Sequence, residues 1–319
     1  MEKSAKIYVA ADGFIADAIA RKLEHQGYRH ILPLANGPKL TDSAQVDEFF
    51  ARHRPSYVFL PGGKNGGISA NQRYPVDLMR DNMLVSCHVF ESAHRHGVRK
   101  LLYLASSCIY PKFSDQPMKV EYLNTGKLEP TNESYAMAKL AGLSLCRAYR
   151  QQFGDHFIAA IPANVFGPGD NFSPEDSHVI AALMRRMHEA KTHAQPDVEI
   201  WGSGRPRREF IFSHDLARAC VFLMDTYESE EPINIGVGQD WSIEEIAERI
   251  REVVGYTGRL TFDPSKPDGM PAKLLDSSRL AQMGWNPKTS IREGLAATYE
   301  SFLQNTADIN GTGDARAFL

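Results

Sequence analysis

An α/β fold built on a doubly wound parallel sheet, with a smaller interleaved C-terminal domain, is predicted for this 319-residue chain by three observations. Short β-branched runs alternate with helix-period segments through the first half, the pattern of parallel strands with covering helices. A run of small residues stands between the first such strand and the first helix. Beyond Gly167 the alternation gives way to polar, Pro-containing loops.

Taken in order, Lys6 to Ala10 (KIYVA) reads as the first strand, and Ile15, Ile19, Ala20 and Leu23 recur at helical spacing before a stop at Gly27. His30 to Leu34 completes a β-α-β unit, and Tyr57 to Leu60, Lys100 to Ala105 and Phe157 to Ala163 supply further strands. Asp77 to His96 and Ser134 to Phe153 are long helices with apolar faces, expected to flank the sheet. Residues 1–166 then form a dinucleotide-binding domain of Rossmann type. A loop from Gly167 to Ser177, a basic helix from His178 to Lys191 and the segment EIWGSGRPRREF open the smaller domain, 167–305. Segments near 209–240 are expected to rejoin the first domain, Pro232 to Ile235 as a strand. Ser242, with Glu245 three residues on, makes a capping box for a helix ending at Val254. Residues 306–319 lack apolar periodicity and are expected to form a flexible tail.

The charge balance, 36 basic against 39 acidic side chains in mixed order, argues against a nucleic-acid binder. The charged start MEKSAKIYVAADG does not read as a secretory signal, and no apolar run of membrane-spanning length occurs. Cys87, Cys108, Cys146 and Cys220 are scattered without a C-x-x-C pair or metal-like histidine spacing, so a cytoplasmic protein with reduced thiols and no bound metal is expected.

Ala10-Ala11-Asp12-Gly13-Phe14-Ile15-Ala16 lies where a dinucleotide fold brings backbone close to a pyrophosphate, with the spacing of G-x-x-G-x-x-G but alanine at both outer positions. Only glycine enters positive φ cheaply, so Ala10 departs from the pattern, whereas Ala16 is a common substitute in helix–sheet packing. Tyr135 and Lys139 sit one helical turn apart in SYAMAKLAG. Such pairs are common on ordinary helices, but an ammonium beside a phenol favours phenolate and suits it to acid–base work. Ser106 and Ser107 follow the apolar strand LLYLA, at the strand end where open α/β sheets bind ligands. The three features in this order resemble a short-chain dehydrogenase/reductase of the extended type.

Longer segments narrow the resemblance: KNGGISANQRYPVDLMRDNM, SSCIYPK, LEPTNESYAMAKLAG, ANVFGPGDNFSPEDSHVI and WGSGRPRREFIFSHDLA. From about residue 5 to Asn305 the chain closely resembles the GDP-L-fucose synthase family, epimerase/reductases of GDP-4-keto-6-deoxy-D-mannose. The resemblance implies that Ser106, Tyr135 and Lys139 serve ketone reduction and that Cys108 and His178 are the acid–base pair of C3/C5 epimerisation. The chemistry is coherent: a C4 ketone acidifies both neighbouring carbons, and thiol and imidazole, with ordinary pKa values of about 8.5 and 6.5, exchange protons near neutrality. The resemblance assigns Ala10 to Ala16, Lys39, Asp42, Leu104, Ala105, Pro162, Asn164 and Val165, together with Ser106, Lys139 and His178, to the cofactor. It assigns Ser107, Arg186, Trp201, Arg208 and Asp276 to the GDP-sugar, guanidinium groups being suited to pyrophosphate.

The main departure lies after the second strand, where Pro33 to Lys39 holds no arginine to meet a 2′-phosphate and no acidic residue to grip a free ribose. NADPH is the expected cofactor, met by Lys39, with NADH open. A homodimer formed through the Asp77 and Ser134 helices is implied by the family. Two alternatives stand: a relative acting on another GDP-linked 4-keto sugar, a deoxyheptose or colitose precursor, and a non-catalytic dinucleotide-binding sensor.

Overall fold

Apolar runs such as YVFL, KLLYL and FIAAIP have no polar alternation because the strands they form are covered on both faces. The chain's structure, a computed structural model, describes residues 1–32 and 37–312. Its strands begin with β1 (Lys6–Val9), β2 (His30–Leu32), β3 (Tyr57–Leu60), β4 (Lys100–Leu104) and β5 (Phe157–Pro162). After β6 (Asn164–Phe166), β7 (Asp197–Trp201) and β8 (Arg207–Phe212) comes β9 (Ile233–Ile235). The central sheet has the order β2-β1-β3-β4-β5-β9, parallel throughout. The predicted fold is thus the observed one, with each strand end within two residues of its expected place; Pro33 and Leu34 lie outside the described residues.

The covering helices fall into two groups. α1 (Phe14–His25) packs on α7 (Ser213–Thr226); α2 (Ser43–His53) packs on α4 (Pro75–Arg95), which packs on α5 (Glu133–Phe153), while the short α3 (Ile68–Arg73) precedes α4. The right-handed crossover rule puts the two groups on opposite faces of the sheet. Strand order reverses between β1 and β3, so the crevice beyond their carboxyl ends is the natural ligand site.

A second core gathers Phe166, Phe172, Met184, Met187, Ile200 and Phe210 with α6 (Val179–Thr192), α8 (Ile243–Val254) and α10 (Ile291–Thr312). Its strands are β6, β8, β10 (Asp240–Ser242) and β12 (Ala272–Lys273), with β7 paired separately to β11 (Arg259–Asp263). The capping box forms as read, Ser242 Oγ accepting from the Glu245 N–H and the Glu245 carboxylate from the Ser242 N–H. β8 pairs within the smaller sheet, after which α7 packs on α1 and β9 joins the six-stranded sheet beside β5. α10 runs to Thr312, so it includes the first residues of the segment expected as a tail; residues 313–319 lie outside the described residues. No described helix is long and apolar enough to cross a membrane.

Candidate active site

Gly13 caps α1 with φ 99°, a backbone state that an L side chain enters only with strain, and no side chain caps the helix. The first N–H groups of α1, from Phe14, Ile15 and Ala16, are therefore free of side-chain caps, the arrangement that receives a phosphate. Ala10 and Ala16 raise no difficulty, since neither is among the non-glycine residues with positive φ and both are fully buried. The concern about alanine at the outer turn positions is corrected: Gly13 alone needs the special conformation. Pro61-Gly62-Gly63 keeps the next loop thin. A Cβ on Gly62 would lie 3.5 Å from the Ala11 methyl, and one on Gly63 would strike the Asn82 side-chain oxygen. These features fit a pyrophosphate-bearing dinucleotide.

The other cofactor candidates border the same strand ends. Ala105 donates to the Ala160 carbonyl at 2.8 Å, Pro162 ends β5, and half-buried Asn164 and Val165 open β6. Lys39 is exposed, whereas the Asp42 carboxylate is engaged as the N-cap of α2, accepting from the N–H groups of Ala44 and Gln45 and from the Gln45 side chain. Asp12 is exposed beside the turn.

At the carboxyl end of β4 the chain turns into a short 3-10 helix, Ser107–Ile109, capped by Ser106, whose Oγ accepts from the Cys108 N–H at 3.3 Å. Ser107 is buried beneath this turn. α5 brings Tyr135 and Lys139 to the same place. The Lys139 ammonium, 3% exposed, donates to the Leu104 carbonyl at 3.1 Å and lies 5.9 Å from the Tyr135 ring centre. Burial lowers the Lys139 pKa to about 8. Burial also pushes the Tyr135 phenol well above its ordinary value, helped by nearby Cys108 and opposed by a hydrogen bond with Ser106. Desolvation raises the phenol, where the sequence pattern predicts that the Lys139 ammonium favours phenolate.

Cys108 shows the opposite outcome. Burial raises its pKa, but Lys273, a hydrogen bond with Ser106 and the Arg208 guanidinium together hold the thiol below its ordinary value. Lys273 Nζ donates to the Cys108 sulfur at 3.1 Å. His178 occupies the N-cap position of α6, and burial together with Lys273 lowers its pKa. Lys273 went unread in the sequence: it is one lysine in PAKLLD, and only the parallel pairing of β12 with β8, which sets Lys273 opposite Arg208, brings it here.

Other long-range contacts hold this corner. Asn234 on β9 accepts from the Tyr110 hydroxyl at 2.7 Å and donates to the carbonyls of Met118 and Asp276. Arg208 is buried beside Cys108, its guanidinium donating to the carbonyls of Arg207 and Asp268. Arg186 is half-buried on α6. Trp201, 49% exposed with the Lys266 ammonium 5.5 Å from its ring centre, is no core residue but a flat surface open to a ligand. Asp276 stands apart from the reactive groups, lining a crevice of about 300 Å³ with Gly236, Val237 and Trp285.

Comparison with known proteins gives a consistent picture. Residues 10–236 match the NAD dependent epimerase/dehydratase family. The chain is 50% identical to GDP-L-fucose synthase 1 of Arabidopsis thaliana over 309 residues, 96% of each chain. Among solved structures it resembles a GDP-6-OMe-4-keto-L-xylo-heptose reductase from C. jejuni, with TM-score 0.89 and 30% identity over 96% of this chain and 99% of that one. It also resembles an NADP-bound GDP-L-fucose synthetase from Naegleria fowleri, with TM-score 0.87 and 26% identity over 96% of each chain.

Proposed function

The chain belongs to the NAD-dependent epimerase/dehydratase family, and we propose that it converts GDP-4-keto-6-deoxy-D-mannose to GDP-L-fucose by C3/C5 epimerisation and C4 reduction with NADPH. One observation carries this reading. At the carboxyl end of β4, Ser106 accepts from the Cys108 N–H, Lys139 from the Tyr135 helix donates to the Leu104 carbonyl, and Lys273 donates to the Cys108 sulfur, gathering the acid–base groups of both half-reactions in one corner.

In the epimerisation half, Cys108 and His178 exchange protons with the carbons beside the ketone. One takes the proton as the C–H pair moves onto the ketone oxygen, and the other returns a proton to the opposite face. Ser106 and Tyr135 donate to the resulting enolate oxygen. In the reductive half, Tyr135 gives its proton to the C4 oxygen and Lys139 holds the cofactor ribose. The cofactor, cradled by Gly13 and the N-terminus of α1 with Lys39 toward the 2′-phosphate, supplies hydride when bound. Arg186 and Arg208 suit the pyrophosphate and Trp201 the sugar or base; Asp276 is a further substrate contact carried by the family resemblance.

The test is to supply GDP-4-keto-6-deoxy-D-mannose with NADPH or NADH and to read the product's stereochemistry by NMR. Oxidation of NADPH with formation of GDP-L-fucose is the expected result; no oxidation of either cofactor overturns the reading. A second reading, reduction of a GDP-4-keto heptose, is favoured by the fold match to the heptose reductase. Faster turnover of that sugar in a substrate panel would displace the first.

We read the enzyme as cytoplasmic, in keeping with four free thiols, and as a homodimer through α4 and α5. Val76, Met79 and Met83 share one stripe of α4 and stand in solvent, with Met137 exposed on α5. Val76→Glu with Met79→Glu is expected to yield a monomer in sedimentation; an unchanged mass would place the interface elsewhere.

A further inference from the structure

A second buried ammonium enters the pocket from the smaller domain. Lys273 ends the two-residue strand β12, is 7% exposed, and donates to the Cys108 sulfur at 3.1 Å across 165 residues of chain. Burying a lysine is costly, and this one spends its ammonium on a thiol rather than on a structural carbonyl. The neighbouring cation, Arg208, is engaged with the carbonyls of Arg207 and Asp268 and acts on the sulfur only at longer range. The groups facing Cys108 are Lys273 and Arg208 from the smaller domain, Ser106 from its own turn and Tyr135 from α5; His178 faces Lys273 from the cap of α6.

We propose that Lys273 is a positioning residue for proton transfer at carbon: its ammonium holds Cys108 as the thiolate that takes the proton. The inference rests on the reading of Cys108 as the carbon base. In that step the C–H bond breaks, an S–H bond forms, the electron pair passes to the ketone oxygen, and Lys273 keeps its own proton. Because the lysine and the thiol come from different domains, the base is competent only when β12 is docked on β8 beside the β4 turn.

The test alkylates Cys108 with iodoacetamide across pH and follows its peptide by mass spectrometry, with exposed Cys87 as the internal control for each variant. Lys273→Met is expected to raise the Cys108 midpoint by about one pH unit or more, since an opposite charge at this range shifts a pKa by about 1–3 units. Lys273→Arg keeps a cation and is expected to stay near the wild-type midpoint. The acidic limb of solvent-deuterium exchange at the sugar's C3 and C5 should move with the thiol. An unmoved midpoint in Lys273→Met, or an equal rise in Lys273→Arg, overturns the role of Lys273. Absence of exchange by the wild-type protein with every GDP-4-keto sugar instead strikes the reading of Cys108 itself.

Discussion

The two sides of this pocket treat burial in opposite ways. On the phenol side, Tyr135 and Lys139 are both governed by desolvation: the phenol is pushed up and the ammonium down, so each leans toward its neutral form. On the thiol side the same burial acts on Cys108, but Lys273, Ser106 and Arg208 outweigh it and lean the sulfur toward charge. One side therefore holds a proton to give and the other offers a place to put one. Desolvation sets the acid and imported cations set the base.

The sharpest way to break this division is to remove one group from each side. Tyr135→Phe is expected to slow NADPH oxidation by roughly 10²–10⁴-fold, while solvent-deuterium exchange at C3 and C5 falls far less because Ser106 still donates to the enolate oxygen. Cys108→Ser is expected to cut that exchange by on the order of 10²-fold or more, with ketone reduction less affected. Equal losses in both assays for both variants would mean that the pocket works as one unit.

A pH series sharpens the contrast by sign. Exchange needs the thiolate, and the Cys108 pKa lies below its ordinary value, so exchange should reach its plateau at lower pH than an unassisted thiol allows. Reduction leans on the Lys139 ammonium, whose pKa is lowered to about 8, so it should decline as pH rises through that value while exchange holds. Parallel profiles in the two assays would dissolve the distinction.

The same contrast explains what could be read from the sequence. Ser106, Tyr135 and Lys139 lie within 34 residues of one another on a strand end and the next long helix, so their order and spacing singled them out and the family resemblance supplied their roles. Cys108 and His178 were named through family resemblance, since a lone thiol and a lone imidazole carry no period. Lys273 was missed because its place depends on the pairing of β12 with β8, a contact between distant segments that leaves no local pattern. Helical spacing likewise reports the ammonium near Tyr135 but not the burial that raises the phenol. The strands and helices of the first domain were legible because their apolar periodicity is local, whereas the boundary near β8 depended on which sheet would accept it.

A smaller effect separates the cofactor turn from the carbon chemistry. Gly13→Ala forces an L side chain into φ 99°, ψ 174°, at a cost of about 1–3 kcal/mol, which corresponds to roughly 5–150-fold weaker NADPH binding if the turn must keep its shape. Exchange at C3 and C5 is expected to be unchanged, because that half uses groups beyond the turn. An equal fall in exchange would show that the thiol side depends on the cofactor turn.

Ala10→Gly is the smallest perturbation and the most discriminating one for the turn. The substitution restores the glycine that a G-x-x-G-x-x-G pattern would carry, yet Ala10 already sits in ordinary backbone, with its N–H donating to the Phe59 carbonyl at 2.7 Å and its methyl fully buried. Glycine there relieves no strain, loses the methyl's packing and frees the unfolded chain. The expected result is a melting temperature lower by about 2–4 °C with NADPH affinity within about twofold of wild type. A marked gain in affinity would mean that the methyl obstructs the pyrophosphate; unchanged affinity would show that alanine at this position costs the dinucleotide site nothing and that Gly13 alone carries the turn.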